Sequence, residues 1–215
     1  MTLVGPAWLA NGSSLWRVFP WDETAPEGEP YSCRSVAPAR LQNYGRFDLR
    51  GKPLVLYLAE TAEHAVTEAL RGLLRDPGRD PVHRHSVTDA DLFSGGHRRA
   101  LVEVRLPAGA LDRLPDLCDG GMLARYGVRA DELSSSDRAL SRRSARKIYE
   151  HEDHPPGFTW WSRFGGDWHV VLIFLDRVLL SDLEFGHPVA LDLAHPAVHR
   201  AAEALHVDIA PLPAA

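Results

Sequence analysis

The chain has 215 residues, of which 45% are hydrophobic and 25% charged. This is ordinary globular composition, with enough length to bury a core without covalent staples. A formal net charge of −5 argues against a dedicated nucleic-acid binder, and two cysteines, Cys33 and Cys118, are too few for a disulfide framework.

A reducing, cytoplasmic compartment follows from that cysteine count. Residues 1–10 are apolar but lack the basic start of a signal peptide, and the longest apolar run, 170–175, is too short to span a bilayer. Residues 15–19 read as a short strand. Residues 20–38, rich in Pro, Gly, Glu and Ser, read as a long loop or flap.

Residues 54–58, Leu-Val-Leu-Tyr-Leu, have the pattern of a buried strand. Directly after them Ala62, Ala65, Val66, Ala69, Leu70 and Leu73 fall at helical spacing, with Thr61 placed to cap. Residues 76–96 read as loop and 100–106 as a strand. The stretch 110–150 reads as mostly helical, broken by Gly120-Gly121 and Gly127. Its basic cluster, Arg138 to Lys147, reads as a solvated helix face or a partner surface. Residues 158–162 and 169–174 read as strands joined at Gly165-Gly166-Asp167. Residues 190–193 suggest a last strand and 196–205 a closing helix. Strands and helices mix without a βαβ rhythm, so the expected class is α+β.

Several motifs are ruled out. No dinucleotide or phosphate-loop glycine pattern occurs, and no serine stands in a nucleophile elbow. His151-Glu152-Asp153-His154 has the wrong spacing for two metal ligands on one helical face. His195 and His199 have i, i+4 spacing, but no third ligand accompanies them, so no metal is expected.

Four stretches in order carry more. They are Leu15-Trp16-Arg17-Val18-Phe19, then Tyr44-Gly45-Arg46-Phe47-Asp48, then Leu56-Tyr57-Leu58-Ala59-Glu60-Thr61 with Ala65-Val66-Thr67-Glu68. The last is Gly157-Phe158-Thr159-Trp160-Trp161-Ser162-Arg163 with Val171-Leu172-Ile173-Phe174. Together they resemble the RES domain family. Phe47 stands where that family usually has Trp, and Asp48 where it has Asn.

The resemblance implies one RES-like domain over 1–215, with a core at about 15–193 and a C-terminal helix and tail at 194–215. It implies a mixed β-sheet core related to the ADP-ribosyltransferase fold, with flanking helices. It further implies a toxin that consumes NAD⁺ as substrate, by hydrolysis or phosphorolysis, and is neutralised by an Xre-like antitoxin. Transfer of ADP-ribose to a protein is the first alternative. A non-catalytic nucleotide-binding module, suggested by Phe47 and Asp48, is the second.

The chemistry suits these residue types. Breaking the nicotinamide–ribose bond builds positive charge on the ribose, which a fixed carboxylate such as Glu68 favours. Arg17 and Arg46, with Arg163, are candidates for the pyrophosphate. Tyr57 offers the cationic nicotinamide an aromatic face or a hydroxyl, and Ser162 a hydrogen bond. From the helical pattern alone, Glu68 lies off the apolar centre and reads as solvated. Tyr57 alone reads as a core residue.

Overall fold

The computed structural model describes residues 6, 8–9, 13–36, 45–49, 53–74 (backbone only over 71–74), 85–162 and 167–210. In chain order, strand β1 (Leu15–Pro20) leads into a turn-rich segment, then β2 (Val55–Ala59) and helix α1 (Ala62–Leu74). Next come β3 (Ser86–Val87), a 3-10 turn at Asp89–Leu92, β4 (Phe93–Ser94) and the long β5 (His97–Arg105). Four helices follow: α2 (Ala108–Leu111), α3 (Gly120–Arg125), α4 (Ala130–Ser134) and α5 (Arg138–Glu150). The chain then forms β6 (Gly157–Trp161), β7 (His169–Phe174), β8 (Glu184–Phe185), β9 (Val189–Ala190), α6 (Pro196–Leu205) and β10 (Asp208–Ile209). The class is α+β, as the mixed pattern of elements requires.

The chain forms two compact units, each assembled from three stretches. The first comprises Met1–Ser13, Val36–Leu58 and Arg105–Glu184; the second comprises Ser14–Ser35, Ala59–Val104 and Phe185–Ala215.

In the first unit the spatial order is β2-β7-β6. Strands β6 and β7 run antiparallel in register from Gly157↔Ile173 to Trp161↔His169. Gly157 is needed at this crossing, because a Cβ there would stand 2.9 Å from the Leu172 carbonyl carbon. Against these strands pack Phe47, Leu117, Leu133, Ala145 and Ile148, all buried. Helix α5 buries a stripe of small residues, Ser141, Ser144 and Ala145, plus Ile148. Its cationic side, Arg138, Arg143, Arg146 and Lys147, is exposed. Gly120-Gly121 does not break a helix but opens one. The Asp119 carboxylate accepts from Met122 N at 2.9 Å and so caps α3.

The His151–His154 segment is bound into the same unit by charge. Arg125 donates to Asp153 twice, Nε at 2.7 Å and Nη2 at 2.6 Å. Tyr126 Oη adds a bond of 3.2 Å to the same carboxylate, and His151 Nδ1 lies 3.3 Å away. The Arg125 bonds, ahead of all other causes, hold the Asp153 carboxyl below the usual carboxylate range. A depressed carboxyl contributes stability above its unfolded pKa of about 4 and loses it as pH falls through the folded value. The expected result is that Asp153→Asn lowers the urea midpoint at pH 7, and that the gap to wild type narrows below about pH 4. Equal midpoints at pH 7 would remove the pair from the stability of this unit.

In the second unit β5 is central. It pairs antiparallel with β1 from Leu15↔Val104 to Pro20↔Arg99, and with β9 at Ala100↔Ala190. Strand β4 returns on β5 through Gly95-Gly96, whose φ values of 60° and 84° are those of a tight hairpin turn. The expectation of loop over 76–96 therefore fails in part. Residues 86–87 form β3, parallel to β10, and 93–94 form β4. These two-residue strands are too short for a period to show in sequence.

Helices α1 and α6 share one core, with Ala65, Val66, Leu70, Ala197, Val198, Ala201 and Ala202 buried, and Trp16 and Val18 of β1 packed against them. Thr61 caps α1, its hydroxyl accepting from His64 N at 3.2 Å. His195 opens α6: its Nδ1 accepts from Ala197 N at 3.1 Å, so the imidazole is engaged as a helix cap. No helix among the described residues is long and apolar enough to cross a membrane.

Candidate functional site

In the first unit a turn at residues 45–49 carries Arg46 and is bonded to Tyr57. The Asp48 carboxylate organises it. Its Oδ2 accepts from Gly45 N and its Oδ1 accepts from Tyr57 Oη, both at 2.8 Å. Tyr57 Oη in turn accepts from Phe47 N at 3.1 Å. Burial, then the nearby Asp48 charge, pushes the Tyr57 phenol well above its ordinary pKa. Gly45 allows this closeness, since a Cβ there would lie 2.5 Å from Tyr57 Oη.

Arginines clamp this turn to helical segments. Arg46 Nη2 donates to the carbonyls of Leu133 and Ser135, the latter at 3.2 Å. Arg142 of α5 donates to the Gly45 carbonyl at 3.3 Å. Phe47 is fully buried, and its ring meets Trp160 at 4.5 Å and Phe158 at 5.3 Å, both T-shaped. The two residues that differ from the usual family pattern thus have structural work here. Phe47 fills the core and Asp48 ties the turn. Ser162, just past β6, is buried, and its N–H donates to the Trp168 carbonyl at 2.6 Å. Arg163 and the Gly165-Gly166 turn lie outside the described residues.

Arg17 and Glu68 belong to the second unit. Arg17 donates to two carbonyls of the flap, Cys33 through Nη1 at 3.1 Å and Ser35 through Nη2 at 2.7 Å. Burial lowers its guanidinium pKa to about 10, with Cys33 opposing the shift. Side chains alternate along a strand. Trp16 and Val18 pack with α1, so Arg17 points from the opposite face of β1. Glu68 sits on α1, its side chain 40% exposed, with Nε2 of the buried His64 at 3.4 Å from Oε1 one turn earlier. Within this unit Arg17 and Glu68 are therefore on different sides of β1. The helical pattern that read Glu68 as solvent-facing is matched by its exposure. His64 went unnoticed in the sequence, although its i, i+4 spacing to Glu68 was a usable signal.

The second unit also has a hollow of about 340 Å³ between the flap and residues 185–188, lined by Trp21, Asp22, Glu27, Arg34 and Phe185 among others. Of the residues named from sequence it contains Cys33 but none of the candidate site residues. Asp22, Glu23 and Glu27 give it an acidic wall, the wrong sign for a pyrophosphate. Arg34 already closes part of it, paired to Glu27 at 2.7 Å and stacked 5.6 Å from the Phe185 ring. No group of His, Cys, Asp and Glu among the described residues is arranged to hold a metal ion.

These elements define an α+β protein in which helices cover short antiparallel strands, and a buried Asp–Tyr pair anchors a glycine–arginine turn. The chain belongs to the RES domain family, whose model matches residues 14–194. Among solved structures it is similar to the crystal structure of the M. tuberculosis MbcT–MbcA toxin–antitoxin complex. The TM-score is 0.56 at 15% identity, covering 91% of this chain and 88% of that one, which is likeness of fold. Comparison with curated proteins finds no match.

Proposed function

We propose that this protein cleaves the nicotinamide–ribose bond of NAD⁺ and acts as the toxin of a toxin–antitoxin pair. The observation that carries this reading is the RES-domain match over 14–194, a span that takes in Arg17, Arg46, Tyr57, Glu68 and Ser162 in family order. Glu68 is the proposed stabiliser of the oxocarbenium-like ribose, a role that needs an ionised carboxylate accessible to a ligand. Tyr57 is the proposed aromatic neighbour of the nicotinamide, and Ser162 a hydrogen-bonding residue. Arg46 and Arg163 are the proposed pyrophosphate contacts, whereas Arg17, on the other face of β1 from Glu68 and bonded to the Cys33 and Ser35 carbonyls, is read as holding that segment in place.

The proposed partner is an Xre-like antitoxin, a reading supported by the toxin–antitoxin assembly of the similar solved structure. A cytoplasmic site of action fits the free thiols of Cys33 and Cys118. The test is incubation of the purified, antitoxin-free protein with labelled NAD⁺, with and without phosphate. Nicotinamide release is the expected outcome, and ADP-ribose-1-phosphate in the phosphate arm alone identifies phosphorolysis. Label on a discrete protein band when the protein and labelled NAD⁺ are added to a cell lysate moves the activity to ADP-ribose transfer. Intact NAD⁺ in both buffers, from folded protein, sinks the reading.

A further inference from the structure

A phenol has one proton to give, and an ionised carboxylate can only accept. Tyr57 Oη donates that proton to Asp48 Oδ1 at 2.8 Å and accepts from Phe47 N at 3.1 Å. The second Asp48 oxygen is taken by Gly45 N at 2.8 Å. Asp48 is only 4% exposed, so the pair is shielded from exchange with water. The elevated phenol pKa agrees with a proton held firmly on Tyr57. Tyr57 as a whole is partly buried against the core of this unit, with the Trp160 ring in T-shaped contact at 6.5 Å.

We infer that Asp48 is a positioning residue: it turns the Tyr57 hydroxyl inward, so that Tyr57 meets a cationic pyridinium ring with its face and does not donate a proton to it. This inference rests on the NAD⁺ reading above and assigns the part of Tyr57 that does the work. Asp48 acts through two bonds. One orients the ring, and the other fixes the backbone of the turn that carries Arg46. In Asp48→Asn the amide oxygen can keep Gly45 N while the amide N–H turns to Tyr57 Oη, so what is lost is the charged acceptor that holds the phenol proton inward.

The experiment is steady-state nicotinamide release by wild type, Tyr57→Phe, Asp48→Asn and the double variant. Tyr57→Phe keeps the ring and loses its anchor. The expected result is a KM for NAD⁺ raised about tenfold, the size of one lost hydrogen bond to a charged group, with kcat within about threefold. Asp48→Asn should show the same split. The double variant should be no worse than the worse single one, because both substitutions remove the same interaction, the phenol proton held by the Asp48 carboxylate. Partial unfolding would instead lower the active fraction and hence the apparent kcat, leaving KM unchanged. A hydroxyl that donates in the transition state gives the opposite pattern, with kcat of Tyr57→Phe falling about 100-fold or more. That result overturns the inference, as does an Asp48→Asn KM within about twofold of wild type. A wild type that leaves NAD⁺ intact overturns the NAD⁺ reading itself, which separates the two failures.

Discussion

Glu68→Gln should reduce the rate of nicotinamide release by about 100- to 1,000-fold, the usual cost of removing one preorganised electrostatic group. The substitution is chosen to isolate charge. Glutamine has nearly the shape of glutamate and a similar helix propensity, so α1 should keep its geometry. The Glu68 side chain is 40% exposed, and a glutamine amide there can still pair with His64 Nε2, 3.4 Å from Oε1, as donor or acceptor. Stability should stay within about 0.5 kcal/mol of wild type, as for most surface substitutions. What is lost is the negative charge that opposes positive charge growing on the ribose. The measurement is kcat for nicotinamide release alongside a thermal melt. A Gln variant within tenfold of wild type, with an unchanged melt, would take Glu68 out of the chemistry.

The contrast between Glu68 and Arg17 shows where sequence reasoning reaches and where it stops. The path from strand 54–58 through Thr61 into a helix is local, and periodicity plus one capping residue is enough to find it. The same holds for residues 169–174 and for 196–205, which match β7 and α6 to the residue. The hydrogen bonds of the arginines are not local. Arg17 finds its carbonyls 16 and 18 residues away, and Arg46 finds those of Leu133 and Ser135 87 and 89 residues away. A carbonyl is offered by every residue, so no side-chain pattern marks such an acceptor in advance. The Asp48–Tyr57 bond was hidden for a related reason. It depends on Gly45 leaving room for both groups, which is a fact about a turn and not about a period. Gly120-Gly121 misled because glycine is read as a breaker, whereas the preceding Asp119 makes this pair a helix start.

Phe47 gives the largest expected effect on stability. Its side chain is completely buried, among the largest so enclosed, and is flanked by Phe158 and Trp160 in T-shaped contacts. Phe47→Ala removes a ring from a packed aromatic cluster, and the surroundings cannot close fully on the space. The loss should be about 3–5 kcal/mol, seen as a fall in Tm of roughly 6–20 °C for a chain of this size. The cost is high because Phe47 is not held by packing alone. Its backbone N–H is tied to Tyr57 Oη, and its neighbour Asp48 holds the turn, so the ring cannot be replaced by a shift of the loop. Phe47→Leu keeps part of the volume and should lose less than half as much. Phe47→Trp adds atoms to a filled site and should cost about 1–3 kcal/mol from overpacking, even though tryptophan is the usual residue of the resembling family at this place. The ordering wild type, then Leu or Trp, then Ala is the measurable claim. An Ala variant that melts within a degree or two of wild type would mean that the ring is dispensable to this core, and that the Asp48–Tyr57 pair alone keeps the turn in place.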